Sequence, residues 1–162
     1  QWNHVDRKEM FIRLPGEITK TGDPRDIPIN HHVKNVLSAL PRSINHNFVF
    51  TFRGRPFTHK NGFVHSLKSA CKTAGIPYGR NAENGVTMHD TRRTLKTNML
   101  SAGVDKVYRD KILGHSLQGM DVHYLAPTEE TLKKEMERLT QWLDNRLAEA
   151  SQMLTKPLTK AG

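Results

Sequence analysis

Apolar residues recur at every second position in residues 10–14 and again at the end of residues 25–29. This period of two is typical of half-buried strands. Pro-Gly and Gly-Asp-Pro sequences separate the two segments from a third, residues 17–20, and such sequences mark turns. The pattern therefore predicts a three-stranded antiparallel meander with strands at residues 10–14, 17–20 and 25–29.

The rest of the chain changes to helical periodicity, with apolar residues spaced three and four apart. The predicted helices cover residues 30–40, 59–74, 87–102 and 105–113, and a last one begins near residue 128. Capping residues or Gly and Pro mark their ends. We expect a mainly helical α+β fold in which the meander packs on a helical bundle. One domain is predicted over residues 1–150, followed by a flexible tail over residues 151–162.

An arginine stands inside the apolar stripe of the third predicted helix. At about 100° per residue, Arg92 shares a face with Met88, Leu95 and Met99. Burial of a guanidinium costs free energy unless an anion pairs with it. We therefore expect a negatively charged partner for Arg92. His89 lies one turn earlier and leans over the same side.

Two further polar side chains follow this helix. His115 comes directly after Gly114, which ends the next predicted helix, and Tyr124 stands nine residues later. Arginine matches the geometry of phosphate, and tyrosine is among the residues that form covalent intermediates. Together with the preceding arginine and histidine, these residues supply anion clamps, a proton carrier and a hydroxyl nucleophile.

The order and spacing of these residues resemble the catalytic domain of the tyrosine recombinase (phage integrase) family. The family pattern is His-x-x-Arg, then Leu-Gly-His, then a nucleophilic tyrosine. Here residues 89–92 are His-Asp-Thr-Arg, residues 113–115 are Leu-Gly-His, and Tyr124 follows. Thr91 stands where leucine is common in the family, a difference that affects packing more than chemistry.

The resemblance implies a site-specific DNA recombinase, an integrase of a phage or another mobile element, that acts through a 3′-phosphotyrosine intermediate on Tyr124. It implies that Arg92 clamps the phosphate and that His115 donates a hydrogen bond to it. His89 would accept a proton or bind the phosphate. Lys20 matches a lysine that the family uses to protonate the leaving oxygen, although strand edges also carry solvated lysines. Arginines replace a metal in this chemistry, so no cofactor is expected.

Two other hypotheses remain open, a DNA-binding module without catalysis and a type IB topoisomerase-like enzyme that relaxes DNA. The DNA-binding module without catalysis has support because a second catalytic arginine of the family is missing from this chain. In the family, that arginine lies on a helix just before a motif like Trp2-x-x-Val5-Asp6. That position would precede Gln1, so we expect the chain to lack the N-terminal portion of the domain and to be inactive alone. The spacing from Gly114-His115 to Tyr124 favours the recombinase.

The charge balance favours a polyanionic partner. The formal net charge is +9 and the pI is about 9.9, values that suit a nucleic-acid-binding domain. We expect double-stranded DNA as the partner, with Arg25, Arg53, Arg55 and Arg93 as further contacts. Arg53 and Arg55 are expected in a loop that follows an extended segment at residues 48–52. Arginines in such a loop are equally often solvated and contact no partner.

The sequence predicts no metal site among its cysteine and histidine residues. Cys71, the single cysteine, falls on an apolar helix face with Phe63 and suits a buried thiol in a reducing compartment. The nine histidines form no metal-binding motif, and His31 and His32 are expected to be surface groups rather than ligands. No apolar run is long enough to span a membrane. The family resemblance further implies a cytoplasmic protein at the nucleoid of a prokaryotic host.

The last predicted helix carries a long apolar stripe, formed by Leu132, Met136, Leu139, Leu143 and Leu147. Such a stripe can pack on its own domain or dock into a groove of a neighbouring protomer. The family resemblance favours docking, because terminal helices commonly link protomers in that family. We therefore expect self-association as a tetramer on DNA through this helix.

Overall fold

The computed structural model describes residues 1–56, 60–115 and 127–155. The α-helices in this part are α1 (His31–Ala39), α2 (Lys60–Thr73), α3 (Met88–Ser101), α4 (Lys106–Leu113) and α5 (Glu129–Thr155). The strands are β1 (Val5–Asp6), β2 (Phe11–Leu14), β3 (Arg25–Pro28), β4 (Thr51–Phe52) and β5 (Arg55–Pro56). The predicted α+β class is confirmed, with a three-stranded antiparallel sheet near the amino terminus and mostly helical structure after it. No described helix is long and apolar enough to cross a membrane.

The sheet has the order β1-β2-β3, with both pairs antiparallel. The prediction of a strand at residues 17–20 is wrong, because Gly16–Ile18 forms a turn of 3-10 helix and β1 supplies the third strand instead. The hydroxyl of Thr19 lies within hydrogen-bond distance of the carbonyl oxygens of Gly16, at 3.0 Å, and Asp23, at 2.8 Å, and its single hydrogen is donated to one or shared between them. These local bonds close the connection as a compact turn and compete with pairing in a sheet.

The main core lies between the sheet and helices α3, α4 and α5. Its buried residues are Phe11, Met99, Val104, Ile112, Leu113, Leu132, Met136 and Leu139. The apolar stripe of α5 therefore packs on its own domain over most of its length. The prediction that the stripe docks on a neighbouring protomer is wrong for Leu132, Met136 and Leu139. Leu147, one turn or more beyond them, is 56% exposed. The helix continues to Thr155, past the domain boundary expected at residue 150.

We expect the substitution Leu139→Ala to lower the free energy of unfolding by about 2–5 kcal/mol, because the side chain is 1% exposed and its removal leaves a cavity. The matched control is Leu147→Ala on the same helix, which should change stability by no more than about 0.5 kcal/mol. Urea denaturation measures both. Equal losses in the two variants would contradict the packing of α5 in the core.

The face of α2 that carries Cys71 and the β4–β5 hairpin differ in part from the predictions. Cys71 is buried, as expected, whereas Phe63 from the same predicted face is exposed. Arg53 and Gly54 form the two-residue turn of a hairpin between β4 and β5, and both have positive φ angles, as tight hairpin turns require. Arg55, which we expected in a loop, therefore begins a strand.

Candidate active site

An open cleft of about 570 Å³ lies where the first turns of α3 face the carboxyl end of α4. The charged and imidazole side chains that line it are Arg80, His89, Asp90, Arg92, Arg93, Lys96 and His115. Three residues predicted for catalysis, His89, Arg92 and His115, are thus brought together. Arg93, predicted to contact DNA, lines the same cleft. The lining is strongly cationic, so the cleft suits an anionic ligand.

The start of α3 is fixed by the capping box that the sequence predicted. The carboxylate of Asp90 accepts hydrogen bonds from the backbone N–H of Thr87, at 2.8 Å, and from its hydroxyl, at 2.7 Å. These bonds from Thr87, followed by the charge of Arg93, hold the pKa of Asp90 below its ordinary value. Because the first turn is fixed, the positions of His89 and Arg92 on the cleft side of α3 are fixed with it.

Arg92 meets the end of a helix where we expected a negative group. It is partly buried, and its Nη2 donates a hydrogen bond to the carbonyl oxygen of Leu113, at the last residue of α4. Carbonyl groups at a helix carboxyl terminus have no partner within the helix and carry partial negative charge. The end of α4 therefore both stabilises the guanidinium and orients it at the cleft.

A second guanidinium approaches the same helix end from the sheet. Arg25, the first residue of β3, donates a long hydrogen bond of 3.4 Å to the carbonyl oxygen of Gly114. Gly114 has a φ of +68°, a conformation that favours glycine. A Cβ atom at this position would also collide with the guanidinium of Arg25. Gly114 therefore ends α4 and leaves the space in which Arg25 lies beside the cleft residues Leu113 and His115.

The imidazole of His115 is held by a buried carboxylate. Asp110 is 7% exposed, and its Oδ1 lies 3.2 Å from Nδ1 of His115, while its Oδ2 accepts from Nζ of Lys106 at 2.9 Å. Burial raises the pKa of Asp110, but hydrogen bonds from Lys106 and His115 outweigh burial, so the pKa lies below its ordinary value. An ionised carboxylate only accepts, so Nδ1 carries a hydrogen and Nε2 is the atom that a ligand in the cleft can meet.

Other predicted site residues lie elsewhere. Lys20 is exposed in the connection between β2 and β3, and Arg53 and Arg55 are exposed in the β4–β5 hairpin. Among the described residues, these three do not line the cleft. Tyr124, the predicted nucleophile, lies outside the residues that the structure describes.

The sequence interpretation missed three residues that the structure places in or behind the cleft: Arg80, Lys96 and Asp110. Lys96 could have been found, because it is four residues after Arg92 and therefore on the same helical face. Asp110 could also have been found, as a carboxylate in the apolar part of a helix. Arg80 lies in an irregular polar loop, where periodicity carries no information.

The family model of the phage integrase family matches residues 1–131, and this chain belongs to that family. Members are in general site-specific tyrosine recombinases that bind DNA. The matched region includes every described residue that lines the cleft. The chain matches no curated protein and no solved structure at a significant level.

We expect the substitution Gly114→Ala to lower the free energy of unfolding by about 1–2 kcal/mol for the left-handed backbone and by about 1 kcal/mol more for the displaced contact of Arg25. Gly103→Ala is the matched control. Gly103 also follows a helix with positive φ, at +75°, but an added Cβ would meet only Arg138, at an ordinary 3.9 Å. Urea denaturation compares the two variants. Equal losses would show that the close approach of Arg25 contributes nothing.

Proposed function

We propose that this chain carries the reaction centre of a site-specific DNA recombinase, an integrase that cleaves and rejoins DNA strands through a 3′-phosphotyrosine intermediate on Tyr124. The observation that supports the proposal most is the single cationic cleft lined by His89, Arg92 and His115. These are the residues of the His-x-x-Arg and Leu-Gly-His segments, separated in the sequence and adjacent in the fold. Membership of the phage integrase family supports the same chemistry.

In this proposal the scissile phosphodiester binds in the cleft. Negative charge grows on its non-bridging oxygens as the nucleophile attacks, so fixed donors at those oxygens lower the barrier. Arg92 supplies a planar pair of donors, already oriented by the end of α4. Nε2 of His115 supplies another donor when the ring is protonated, and the contact of Nδ1 with Asp110 fixes the orientation of the ring. Arginines thus do the work that a metal ion does in other phosphoryl transfers.

The covalent step forms one bond and breaks one bond at phosphorus. The hydroxyl oxygen of Tyr124 bonds to phosphorus, and its proton passes to His89 as the general base. The bond from phosphorus to the 5′ oxygen breaks, and that oxygen leaves as a 5′ hydroxyl after it receives a proton from Lys20. Lys20 lies outside the cleft, in the connection between β2 and β3, so this step requires the connection to bring its side chain to the DNA. Attack by the 5′ hydroxyl of a partner strand reverses both events, so the phosphotyrosine conserves the bond energy and no ATP is consumed.

The surrounding cations bind the DNA backbone in this proposal. Lys96 and Arg93 extend the charge of the cleft along α3, and Arg53 and Arg55 present exposed cations on the β4–β5 hairpin. Arg25 contributes at the end of α4. Phosphate contacts of this kind position a protein on a duplex and provide most of its sequence-independent affinity.

We propose that four protomers assemble on DNA, with contacts made by the last turns of α5. The first part of its stripe is used in the protomer's own core, but Leu147, the last residue of the stripe, is exposed. An exposed apolar side chain near the end of a helix can enter a groove on a neighbouring protomer.

The DNA-binding part of the proposal predicts a steep salt dependence of duplex affinity. A phosphate contact releases counterions, and the loss of one such contact reduces the slope of log K against log salt concentration by about 1. We expect this reduction for Lys96→Gln, because Lys96 is exposed and lines the cleft. Fluorescence anisotropy with a labelled duplex, repeated over a range of salt concentrations, measures the slope.

Lys34→Gln is the matched control for charge, because Lys34 is an exposed lysine on α1 that does not line the cleft. It should leave the slope unchanged. The cleft would not be the DNA-binding surface if both lysine variants gave the same slope as the parent protein, or if the parent protein did not bind the duplex at low salt.

A further inference from the structure

Three potential metal ligands meet where the first turn of α1 packs against α5, on helices that do not line the cationic cleft. Nε2 of His32 lies 2.8 Å from Oδ1 of Asp144, and Nε2 of His31 lies 3.5 Å from the same oxygen. One ligand atom from each residue lies within 4.8 Å of the other two. Two adjacent imidazole rings, with centroids 4.0 Å apart, thus direct the same nitrogen at one carboxylate.

These distances are close to those of a tetrahedral zinc site. Zinc binds imidazole nitrogen and carboxylate oxygen at about 2.0–2.2 Å, so neighbouring ligands of a tetrahedral ion are separated by about 3.3 Å. The two nitrogen–oxygen separations, 2.8 and 3.5 Å, lie on either side of this value. His31 is exposed, so its ring can rotate to complete the geometry without disturbing the core. All three ligand atoms lie within 4.8 Å of one another, so rotation of exposed side chains can bring them to one ion.

The backbones that carry these ligands are already fixed relative to each other. Oδ1 of Asn30 caps α1 by accepting from the backbone N–H of Val33 at 3.0 Å, and Nδ2 of Asn30 donates to Oγ1 of Thr140 at 3.2 Å. Thr140 lies one turn before Asp144 on α5 and is fully buried. Asn30 therefore positions the two histidines opposite the carboxylate before any ion arrives, and preorganisation of this kind favours binding.

We propose that His31, His32 and Asp144 bind a zinc ion, with water in the remaining position, and that the ion fastens the amino terminus of α1 to α5. Imidazole together with one carboxylate is a ligand set that zinc accepts. All three side chains are at least partly exposed, so the ion can enter from solvent. The role is structural. It is independent of the strand-exchange chemistry proposed above, which uses no metal.

The test is titration of EDTA-stripped protein with zinc chloride by isothermal calorimetry, together with thermal unfolding at several zinc concentrations. We expect one site, and a melting temperature that rises with zinc concentration, as for any ligand that binds only the folded state. The variants His32→Ala and Asp144→Asn should each weaken zinc affinity by at least ~10-fold. Loss of a residue that only hydrogen-bonds to a metal ligand already has an effect of this size. His65→Ala removes an exposed histidine of α2 and should leave the affinity unchanged.

Asp144→Asn keeps the shape of the side chain, so it reports on zinc even if the histidine variant is too unstable to measure. Imidazole resonances of His31 and His32 in NMR spectra should shift on zinc addition, and those of His65 should not. The proposal is overturned if zinc leaves the melting temperature unchanged, or if Asp144→Asn binds zinc as tightly as the parent protein. In the former case the three residues form only a polar contact between α1 and α5.

Discussion

Replacing Arg92 with lysine is expected to lower the rate of DNA cleavage by ~10²–10³-fold, the effect of losing a preorganised donor to a transition-state oxyanion, while affinity for the duplex changes little. Lysine keeps the positive charge but not the planar pair of donors. It also cannot reproduce the contact through which Nη2 holds the carbonyl oxygen of Leu113. The charge therefore remains in the cleft without its orientation. Single-turnover cleavage of a target duplex by the full-length protein, alongside anisotropy for binding, separates the two effects.

Arg138→Lys is the matched control for this substitution. Arg138, on α5, also donates to the carbonyl oxygen that follows a helix, that of Gly103 at 2.8 Å, but it does not line the cleft. Cleavage should be unchanged in this variant. If Arg92→Lys cleaved at the parental rate, or if both variants lost cleavage equally, Arg92 would not be the phosphate clamp.

The features that the sequence predicted well are those set by a few neighbouring residues. Thr87 and Asp90 form the capping box that begins α3, Asn30 caps α1, and Gly114 ends α4 in the left-handed conformation. Each depends on hydrogen bonds or steric limits within about one turn. These signals place His-x-x-Arg at the start of α3 and Leu-Gly-His at the end of α4, and the resemblance to the recombinase family implied that the two segments share a site.

The features that the sequence did not predict depend on contacts between distant residues. The negative partner of Arg92 is a backbone carbonyl 21 residues away, and no residue type in the sequence marks it. The apolar stripe of α5 could serve its own core or another protomer, and only the packing of Leu132 and Leu139 decides between them. The strand expected at residues 17–20 failed because the hydroxyl of Thr19 closes a turn, which alternation of apolar residues does not show.

Tyr124 is the proposed nucleophile of the recombinase, and a covalent trap tests this role. A nicked suicide duplex releases a short fragment after cleavage and so retains the protein on the DNA. Denaturing gel electrophoresis then shows the covalent adduct as a slowly migrating band. The full-length protein should form it with EDTA present throughout, because the proposed chemistry uses arginine and histidine in place of a metal. Tyr124→Phe removes the hydroxyl oxygen that is proposed to attack and should abolish the band.

Tyr108→Phe is the matched control, because Tyr108 packs against the core from α4 and has no part in the proposed reaction. It should form the adduct at the parental level. Mapping the link on the DNA completes the measurement, with phosphotyrosine expected at the 3′ phosphate and a free 5′ hydroxyl on the released fragment. Tyr124 is not the nucleophile if the adduct survives in Tyr124→Phe. The protein is not a recombinase of this kind if the full-length protein binds its own site but never becomes covalently attached.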